Sequence, residues 1–153
     1  MSAPGNGNGK EWYADGLRFQ CTQCGNCCTG PTGFVWFNEQ EGQALARKRG
    51  VSEAEFYRTF ARRIDGQWSL NENKTAHGYD CIFLDRETVP GKAICGVYEA
   101  RPTQCRTWPF WPENVRSERA WLTTKRLTPC PGMGAGTLVP IEQIRIQRDE
   151  TKL

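Results

Sequence analysis

The sequence predicts a small α+β fold, an irregular and loop-rich single domain that is stabilised by metal and contains a few short helices and a β-hairpin. A chain of 153 residues is long enough for one domain, but only 38% of its residues are apolar, so the core is expected to be modest. Its 16 glycines, nine prolines and eight cysteines indicate many loops, and such a chain needs a stabilising element besides helix packing.

The N-terminal segment and the net charge restrict the class of protein. Residues 1–10 are polar and rich in glycine, which predicts a disordered lead-in before a cysteine-cluster domain over residues 11–153. The lead-in lacks the apolar segment of a signal peptide, and no stretch reaches the roughly 18 apolar residues of a membrane span. We therefore expect a cytoplasmic protein without a membrane partner. The net charge of +3 is a weak bias, and a nucleic-acid partner is not expected.

Two helices are predicted after the first cysteines. Asn38 is expected to cap the first helix, and Gly50 to end it. A capping box of Ser52 and Glu55 predicts the start of the second helix. Its apolar stripe predicts a helix that continues to the dipeptide Asp65-Gly66. The stripe consists of Tyr57, Phe60, Ala61 and Ile64.

Strand and turn signals dominate the rest of the chain. The apolar segments 81–84 and 93–98 flank a turn at Pro90-Gly91, and they predict a hairpin that brings Cys81 toward Cys95. The other predicted elements are a strand or turn over residues 34–37, a short helix or turn after Arg101, a helix over residues 115–125, a turn over residues 129–132, a Gly-rich loop over residues 132–136 and a last helix with Pro140 in its first turn.

The cysteines carry the strongest functional signal. Four of them follow the pattern C-x2-C-x2-C-C, whose short spacings let one tight loop direct successive thiolates at a common centre. Gly25 fits such a loop, because a tight turn after a ligand favours a positive φ. Paired C-x2-C turns are typical of structural zinc sites, and C-x2-C-x2-C with a remote fourth cysteine is typical of four-iron clusters. The predicted ligands of a 4Fe-4S iron–sulfur cluster or Zn2+ are Cys21, Cys24, Cys27, Cys28, Cys81, Cys95, Cys105 and Cys130.

The adjacent Cys27 and Cys28 pose a geometric question. Neighbouring Cα atoms are about 3.8 Å apart and their side chains usually diverge, so binding one tetrahedral metal would strain both residues. We expect the two thiols to serve different centres or to bridge two metals, and the alternative is that Cys28 is a buried free thiol. Eight thiolates equal two sets of four, which would suit two zinc ions.

Other residues exclude several classes of function. His77 is the only histidine, so a site that needs two or three histidines cannot form within this chain. A lone loop histidine of this kind is more often a plain polar residue than a ligand. A reducing cytosol disfavours disulfides. The sequence contains neither a phosphate-binding loop nor a dinucleotide-binding turn, and it assigns no catalytic residue.

Charged and aromatic residues surround Cys105 in the sequence. Arg101 and Arg106 are expected to offset the negative charge of a thiolate site, with Arg106 in a structural contact rather than on a substrate. The aromatic segment 108–111 is expected to keep water from the site, and a protein-docking surface is the alternative.

Several motifs in order resemble one protein family: FQCTQCGNCC, CIFL, ICGVYEARPTQCRTWPF and a later Pro-Cys-Pro-Gly. The chain is similar to the YkgJ-type CxxCxxCC cysteine-cluster family over about residues 17–132, a domain to which zinc or iron chelation is ascribed. The resemblance includes all eight cysteines and also Gly25, Phe83, Leu84, Tyr98, Arg101, Pro102, Arg106 and Pro109. A distant relative of the family is flagellin lysine methylase, whose iron–sulfur and S-adenosylmethionine chemistry is not carried over, because no separate segment for a methyl donor is present.

Three hypotheses for the function follow. In the first, the chain is a metal-binding protein that chelates an iron–sulfur cluster and/or zinc and takes part in electron transfer or cluster-dependent modification. In the second, zinc is structural and the domain is a protein-interaction module whose partner the sequence does not identify. In the third, the thiols buffer metal or sense redox state, which requires labile metal and an exposed cysteine of low pKa.

Overall fold

The computed structural model describes residues 11–151, so the predicted lead-in over residues 1–10 lies outside the described residues. Residues 11–151 have a mixed α+β fold with short helices and small antiparallel sheets, as the sequence predicts. No helix in this range is long and apolar enough to cross a membrane.

Six α-helices and nine strands form within residues 11–151. The helices are α1 Glu39–Arg49, α2 Glu53–Phe60, α3 Thr103–Arg106, α4 Pro112–Val115, α5 Glu118–Leu127 and α6 Ile141–Glu150. The strands are β1 Leu17–Phe19, β2 Trp36–Phe37, β3 Ala61–Ile64, β4 Gln67–Leu70, β5 Glu72–Thr75, β6 Gly78–Cys81, β7 Leu84–Asp85, β8 Ile94–Cys95 and β9 Met133–Val139. They pair in antiparallel sheets with the orders β1–β9, β2–β4–β3, β5–β6 and β7–β8.

The described chain divides into two compact units, each with its own apolar core. We call residues 11–24 together with 107–151 the terminal unit, and Gly25–Arg106 the central unit. The assignment of residues 11–153 to one domain stays a prediction.

Helices α1 and α2 supply much of the core of the central unit. The Asn38 side chain accepts a hydrogen bond from the Glu41 N–H at 2.8 Å, and the Glu41 carboxylate accepts one from the Asn38 N–H at 2.8 Å. Gly50 ends α1 in the left-handed conformation, so both predicted ends of this helix are confirmed. Fully buried side chains of this core are Leu45, Phe56 and Val97.

The second helix is shorter than its apolar stripe predicts. Ser52 caps α2 as predicted and accepts a hydrogen bond from the Glu55 N–H at 3.1 Å, but the helix ends at Phe60. Residues 61–64 form β3, because their backbone pairs with β4 across Asp65-Gly66. Both turn residues have a positive φ, 50° and 81°, which a two-residue hairpin turn of this kind requires. The Asp-Gly pair therefore marks a hairpin and not the end of a helix.

The core of the terminal unit is largely aromatic. Phe110 stacks on Trp121 with ring centroids 5.7 Å apart, and Phe19 meets Phe110 edge-on at 5.9 Å. Met133 and Ile144 are fully buried in the same core. The first strand and the last elements of the described chain thus share one apolar interior.

Three elements of the terminal unit differ from their predictions. Helix α5 begins after a Ser117 cap, and Val115 instead closes the short helix α4. Most of the segment that was expected to be a Gly-rich loop lies in β9, where Met133 pairs with Phe19 of β1. The pairing resumes only at Leu138, so Gly134 and Gly136 lie in the register shift between the two strands. Pro140 is the cap of α6 rather than a residue of its first turn.

An ionic network joins the start of the terminal unit to α6. The Glu11 carboxylate accepts hydrogen bonds from Arg145 at 2.6 and 2.9 Å and from Arg148 at 3.1 Å. The Arg145 hydrogen bonds are the main cause that lowers the pKa of Glu11 from 4.5 to about 2.

We predict that the stability contributed by Glu11 is complete above pH 4.5 and is lost as the pH falls from 4.5 toward about 2. The sign follows because the unfolded chain binds the proton at a higher pH than the folded chain does. Denaturant unfolding of wild type and Glu11→Gln from neutral pH downward measures the difference in their free energies of unfolding. That difference should shrink through this window, and a difference that stays constant with pH would contradict the prediction.

Candidate metal centre

The eight predicted ligands divide between the two units. The central unit contains five of them, Cys27, Cys28, Cys81, Cys95 and Cys105. The terminal unit contains the other three, Cys21, Cys24 and Cys130. All eight are free thiols.

The cysteine doublet lies in one 3-10 turn, Asn26–Cys28, which follows Gly25. Gly25 has the positive φ that the sequence predicts, 78°, and an added Cβ would lie 2.5 Å from the Cβ of Ala93. The Cys28 N–H donates to the Gly25 carbonyl at 2.9 Å and closes the turn. The Sγ atoms of Cys27 and Cys28 are 3.8 Å apart, so the two side chains lie side by side instead of diverging as expected.

Short strands and a short helix hold the other thiols of the central unit. Cys81 ends β6, Cys95 ends β8, and Cys105 lies in α3. Strands β7 and β8 form the predicted hairpin, with Leu84 opposite Cys95. The hairpin is shorter than predicted, because Cys81 pairs with Glu72 in the preceding β5–β6 hairpin.

The five thiols of the central unit interact electrostatically. The thiolate form of Cys105 is disfavoured by charge on three of the others, Cys81, Cys95 and Cys27. The thiolate form of Cys28 is likewise disfavoured by Cys27, Cys105 and Cys81. Interactions of this kind weaken with distance, so the five side chains lie within electrostatic range of one another. We call these five residues the thiol cluster.

Burial raises the pKa of three members of the thiol cluster. It is the main cause for Cys105, whose pKa is far above its ordinary value, for Cys81, whose pKa is about 11, and for Cys95. In the doublet, a hydrogen bond between the two thiols lowers the pKa of Cys27 and raises that of Cys28, while partial desolvation opposes the effect on Cys27. Crowded thiols that resist deprotonation are stabilised as thiolates when a cation binds.

Arginines favour the thiolate forms. The charge of Arg101 acts to lower the pKa of three cluster thiols, Cys27, Cys95 and Cys105. For Cys95 and Cys105, burial is the larger effect and the pKa is raised overall. Arg86 interacts electrostatically with Cys28. Arg106 donates a hydrogen bond to Thr103 Oγ1 at 2.9 Å, a contact within α3.

Sequence reasoning missed Asp80 and Arg86, which form an ion pair with a separation of 2.8 Å between Arg86 Nε and Asp80 Oδ2. The available signals were an acidic residue directly before Cys81 and a basic residue six positions later. Residues six positions apart do not contact each other on a helix, so the sequence does not predict this ion pair. No local sequence pattern shows that Asp80 is buried.

The terminal unit brings its first and last cysteine segments side by side. The Gln20 N–H donates to the Gly132 carbonyl at 3.2 Å, next to Cys21 on one segment and close to Cys130 on the other. Cys21 is exposed, and the Gln23 N–H donates to its Sγ at 3.4 Å. Cys130 is buried in the aromatic core.

His77 and the aromatic segment 108–111 occupy ordinary structural positions. His77 is exposed in the turn between β5 and β6, where its N–H donates to Thr75 Oγ1 at 3.1 Å. The aromatic segment lies in the terminal unit, and Phe110 is part of that core. The indole N–H of Trp108 is buried without a hydrogen-bond partner among residues 11–151.

The sulfur ligands are of a type that binds zinc or iron. Within residues 11–151, no three side chains of cysteine, histidine, aspartate or glutamate are arranged as a metal site. The 3.8 Å between the doublet sulfurs fits one ligand pair, because thiolates about 2.3 Å from zinc at a tetrahedral angle are about 3.8 Å apart. Thiolate sulfur also suits both zinc and iron–sulfur chemistry.

Comparison with known proteins shows the family of the chain and a distant relative. The model of the CxxCxxCC family, whose description is "Putative zinc- or iron-chelating domain", matches residues 20–131. The chain is 30% identical over 111 residues to the uncharacterized protein MJ0661 of Methanocaldococcus jannaschii, an alignment that covers 72% of this chain and 54% of that protein. The match thus spans about half the length of this curated relative. No solved structure matches the chain.

We predict that Cys27 is alkylated fastest, and Cys105 slowest, among the cluster thiols of the reduced, metal-free protein. The thiolate is the reactive form, Cys27 is exposed with a lowered pKa, and Cys105 is half-buried with a raised pKa. Timed alkylation followed by peptide mass spectrometry measures each rate, and the denatured protein is the control in which the rates should converge. Equal rates for the two thiols in the folded protein would refute this ranking.

Proposed function

The chain belongs to the CxxCxxCC family, and we propose that it binds zinc or iron through cysteine thiolates. The thiol cluster is the observation that carries the proposal. Its five thiols come from four separate segments of the central unit, and none forms a disulfide. Gathering thiols from distant segments crowds groups that repel one another as thiolates, and a bound cation reverses that repulsion.

We assign both thiols of the doublet to one metal, with two further members of the thiol cluster completing a tetrahedral set. The 3.8 Å separation of the Cys27 and Cys28 sulfurs supports this assignment over separate centres. When metal binds, the other cluster thiols move toward the doublet. The free energy of metal binding is then partly free energy of folding of this region.

The thiols of Cys21, Cys24 and Cys130 are proposed as further ligands. The hydrogen bond between Gln20 and Gly132 supports this, because it brings the segments of the first and last cysteines together within the terminal unit. The buried position of Cys130 would exclude water from a metal held there.

The identity of the metal decides the biological role. A 4Fe-4S cluster would serve electron transfer or cluster-dependent modification, and the C-x2-C-x2-C run supports it. Zinc would make the domain a structural module for protein interaction, and the tetrahedral spacing of the doublet sulfurs supports it. Eight free thiols also support a reducing compartment, the cytoplasm.

Thiol redox sensing or metal buffering is a second candidate function. Cys27 is exposed, and its hydrogen bond with Cys28 lowers its pKa, which are two features of a reactive cysteine. The Cys28 sulfur, 3.8 Å away, supplies a second thiol. Labile metal and rapid oxidation of this pair would favour this function over a permanent metal centre.

We predict that anaerobically purified protein contains zinc or iron in stoichiometric amount, and that Cys105→Ser loses most of it and melts at a lower temperature. A serine hydroxyl is a poor ligand for metals that prefer thiolate. Elemental analysis and the visible spectrum identify the metal, since an iron–sulfur protein is brown and a zinc protein is colourless.

The matched control is Ala61→Ser, which adds a hydroxyl at a buried position on β3, a strand without cysteine, and removes no thiol. This variant should keep its metal. Wild type that holds no metal, even after reconstitution with zinc or with iron and sulfide, would contradict the proposal. Full metal content in Cys105→Ser would remove Cys105 from the ligand set.

A further inference from the structure

A buried carboxylate in the central unit links the loop after the doublet to the strand that carries Cys81. Asp80 is only 4% exposed. Its carboxylate accepts hydrogen bonds from Arg86 Nε at 2.8 Å and from Arg86 Nη2 at 3.1 Å. The hydroxyl of Thr29 donates to the same carboxylate. We call Thr29, Asp80 and Arg86 the Asp80 network.

The Asp80 network adjoins two proposed ligands directly. Thr29 follows Cys28, and Asp80 precedes Cys81. The hydrogen bond from Thr29 to Asp80 therefore ties the two ligand positions together across 51 residues of sequence. Arg86 lies within electrostatic reach of Cys28.

Backbone contacts fasten the same two segments. The Tyr79 N–H donates to the Gly30 carbonyl at 2.8 Å. Gly78 packs so closely against Gly30 that an added Cβ would lie 2.7 Å from the Gly30 carbonyl oxygen. The loop that leaves the doublet is thus held against β6, whose last residue is Cys81.

Stability alone is a weak reason for this ion pair, in which the Asp80 side chain is 6% exposed and the Arg86 side chain 25% exposed. The cost of taking the carboxylate out of water offsets much of its attraction to the guanidinium. A rigid ionic network has a different advantage beside a metal centre, because it fixes the direction in which neighbouring ligands point. Its guanidinium also lies within electrostatic range of Cys28, whose thiolate form it would favour.

We propose that Asp80, through Thr29 and Arg86, positions the thiols of Cys28 and Cys81 for metal binding. This inference rests on the proposed function and deepens it. The three residues are positioning residues, because they touch no metal and act through the ligands beside them. Loss of such supporting contacts typically costs about 10–100-fold in metal affinity.

Co2+ is the probe for this inference, because it occupies thiolate sites and its absorption bands report the number of thiolates and the coordination geometry. The reduced, metal-free full chain is titrated with Co2+ as wild type, Asp80→Asn, Thr29→Val and Thr29→Ser. The matched control is Glu55→Gln. Glu55 also accepts hydrogen bonds from an arginine and a threonine, Arg58 and Thr59, but it lies on α2, which carries no cysteine.

Asp80→Asn and Thr29→Val should weaken Co2+ binding by about 10–100-fold, whereas Thr29→Ser and Glu55→Gln should bind within about twofold of wild type. Thr29→Ser keeps the hydroxyl and is therefore the rescue variant. The sulfur-to-cobalt bands of Asp80→Asn at saturating Co2+ should also change in intensity or position. A merely structural role would lower the melting temperature and leave these bands as they are in wild type.

Two results would overturn the inference and leave the proposed function intact. One is Co2+ affinity within about twofold of wild type in both Asp80→Asn and Thr29→Val, and the other is an equal loss in Glu55→Gln. If Asp80→Asn does not fold, Thr29→Val decides, because it removes one hydroxyl at almost constant volume. A wild-type chain without thiolate bands would refute the proposed function, and the inference with it.

Discussion

The structure of the central unit is constrained by the burial of several thiols beside a modest apolar core. Cys81 and Cys95 pack against the same core that contains Phe56 and Val97, so the proposed ligands are also core residues. Buried thiols contribute as small apolar groups when protonated, but as thiolates they are costly unless a cation accompanies them. Metal binding at the proposed site would therefore be coupled to core packing in this unit.

The short secondary structure of the central unit follows from this arrangement. Cys28 closes a 3-10 turn, Cys81 ends β6 and Cys95 ends β8, so most cluster thiols lie where an element stops. At such positions the chain changes direction, and thiols from different segments can face a common point. Long helices or strands would instead spread their side chains over extended faces. The many glycines and short hairpins of the sequence are thus the local means by which distant cysteines are gathered.

The sequence predicted features that are encoded locally and missed those that depend on distant partners. The cap at Asn38 and the turn at Gly25 require only neighbouring residues, and both are present. The prediction that α2 continues beyond residue 60 was wrong, because residues 61–64 pair with β4 and form a strand. Strand β9 was missed because its partner β1 lies at the other end of the chain. At the site, cysteine identity and spacing predict the ligands, but the sequence does not show the network around Asp80, because the burial of Asp80 is a tertiary property.

The two arginines near the thiol cluster have different electrostatic environments, and this separates their roles. Arg86 is paired with Asp80, so that pair is neutral overall, which suits the orienting role proposed for it. Arg101 contacts neutral groups, the ring of Tyr98 at 3.9 Å and its carbonyl at 3.0 Å. The adjacent carboxylate of Glu99 is bound by Lys48 at 2.7 Å, which leaves more of the Arg101 charge for the thiols. Arg101 therefore adds positive charge that favours the thiolate forms of the cluster, whereas the role proposed for Arg86 is to orient the ligands. Four thiolates around a divalent metal need both, since their excess charge must be offset and their sulfurs must point at one centre.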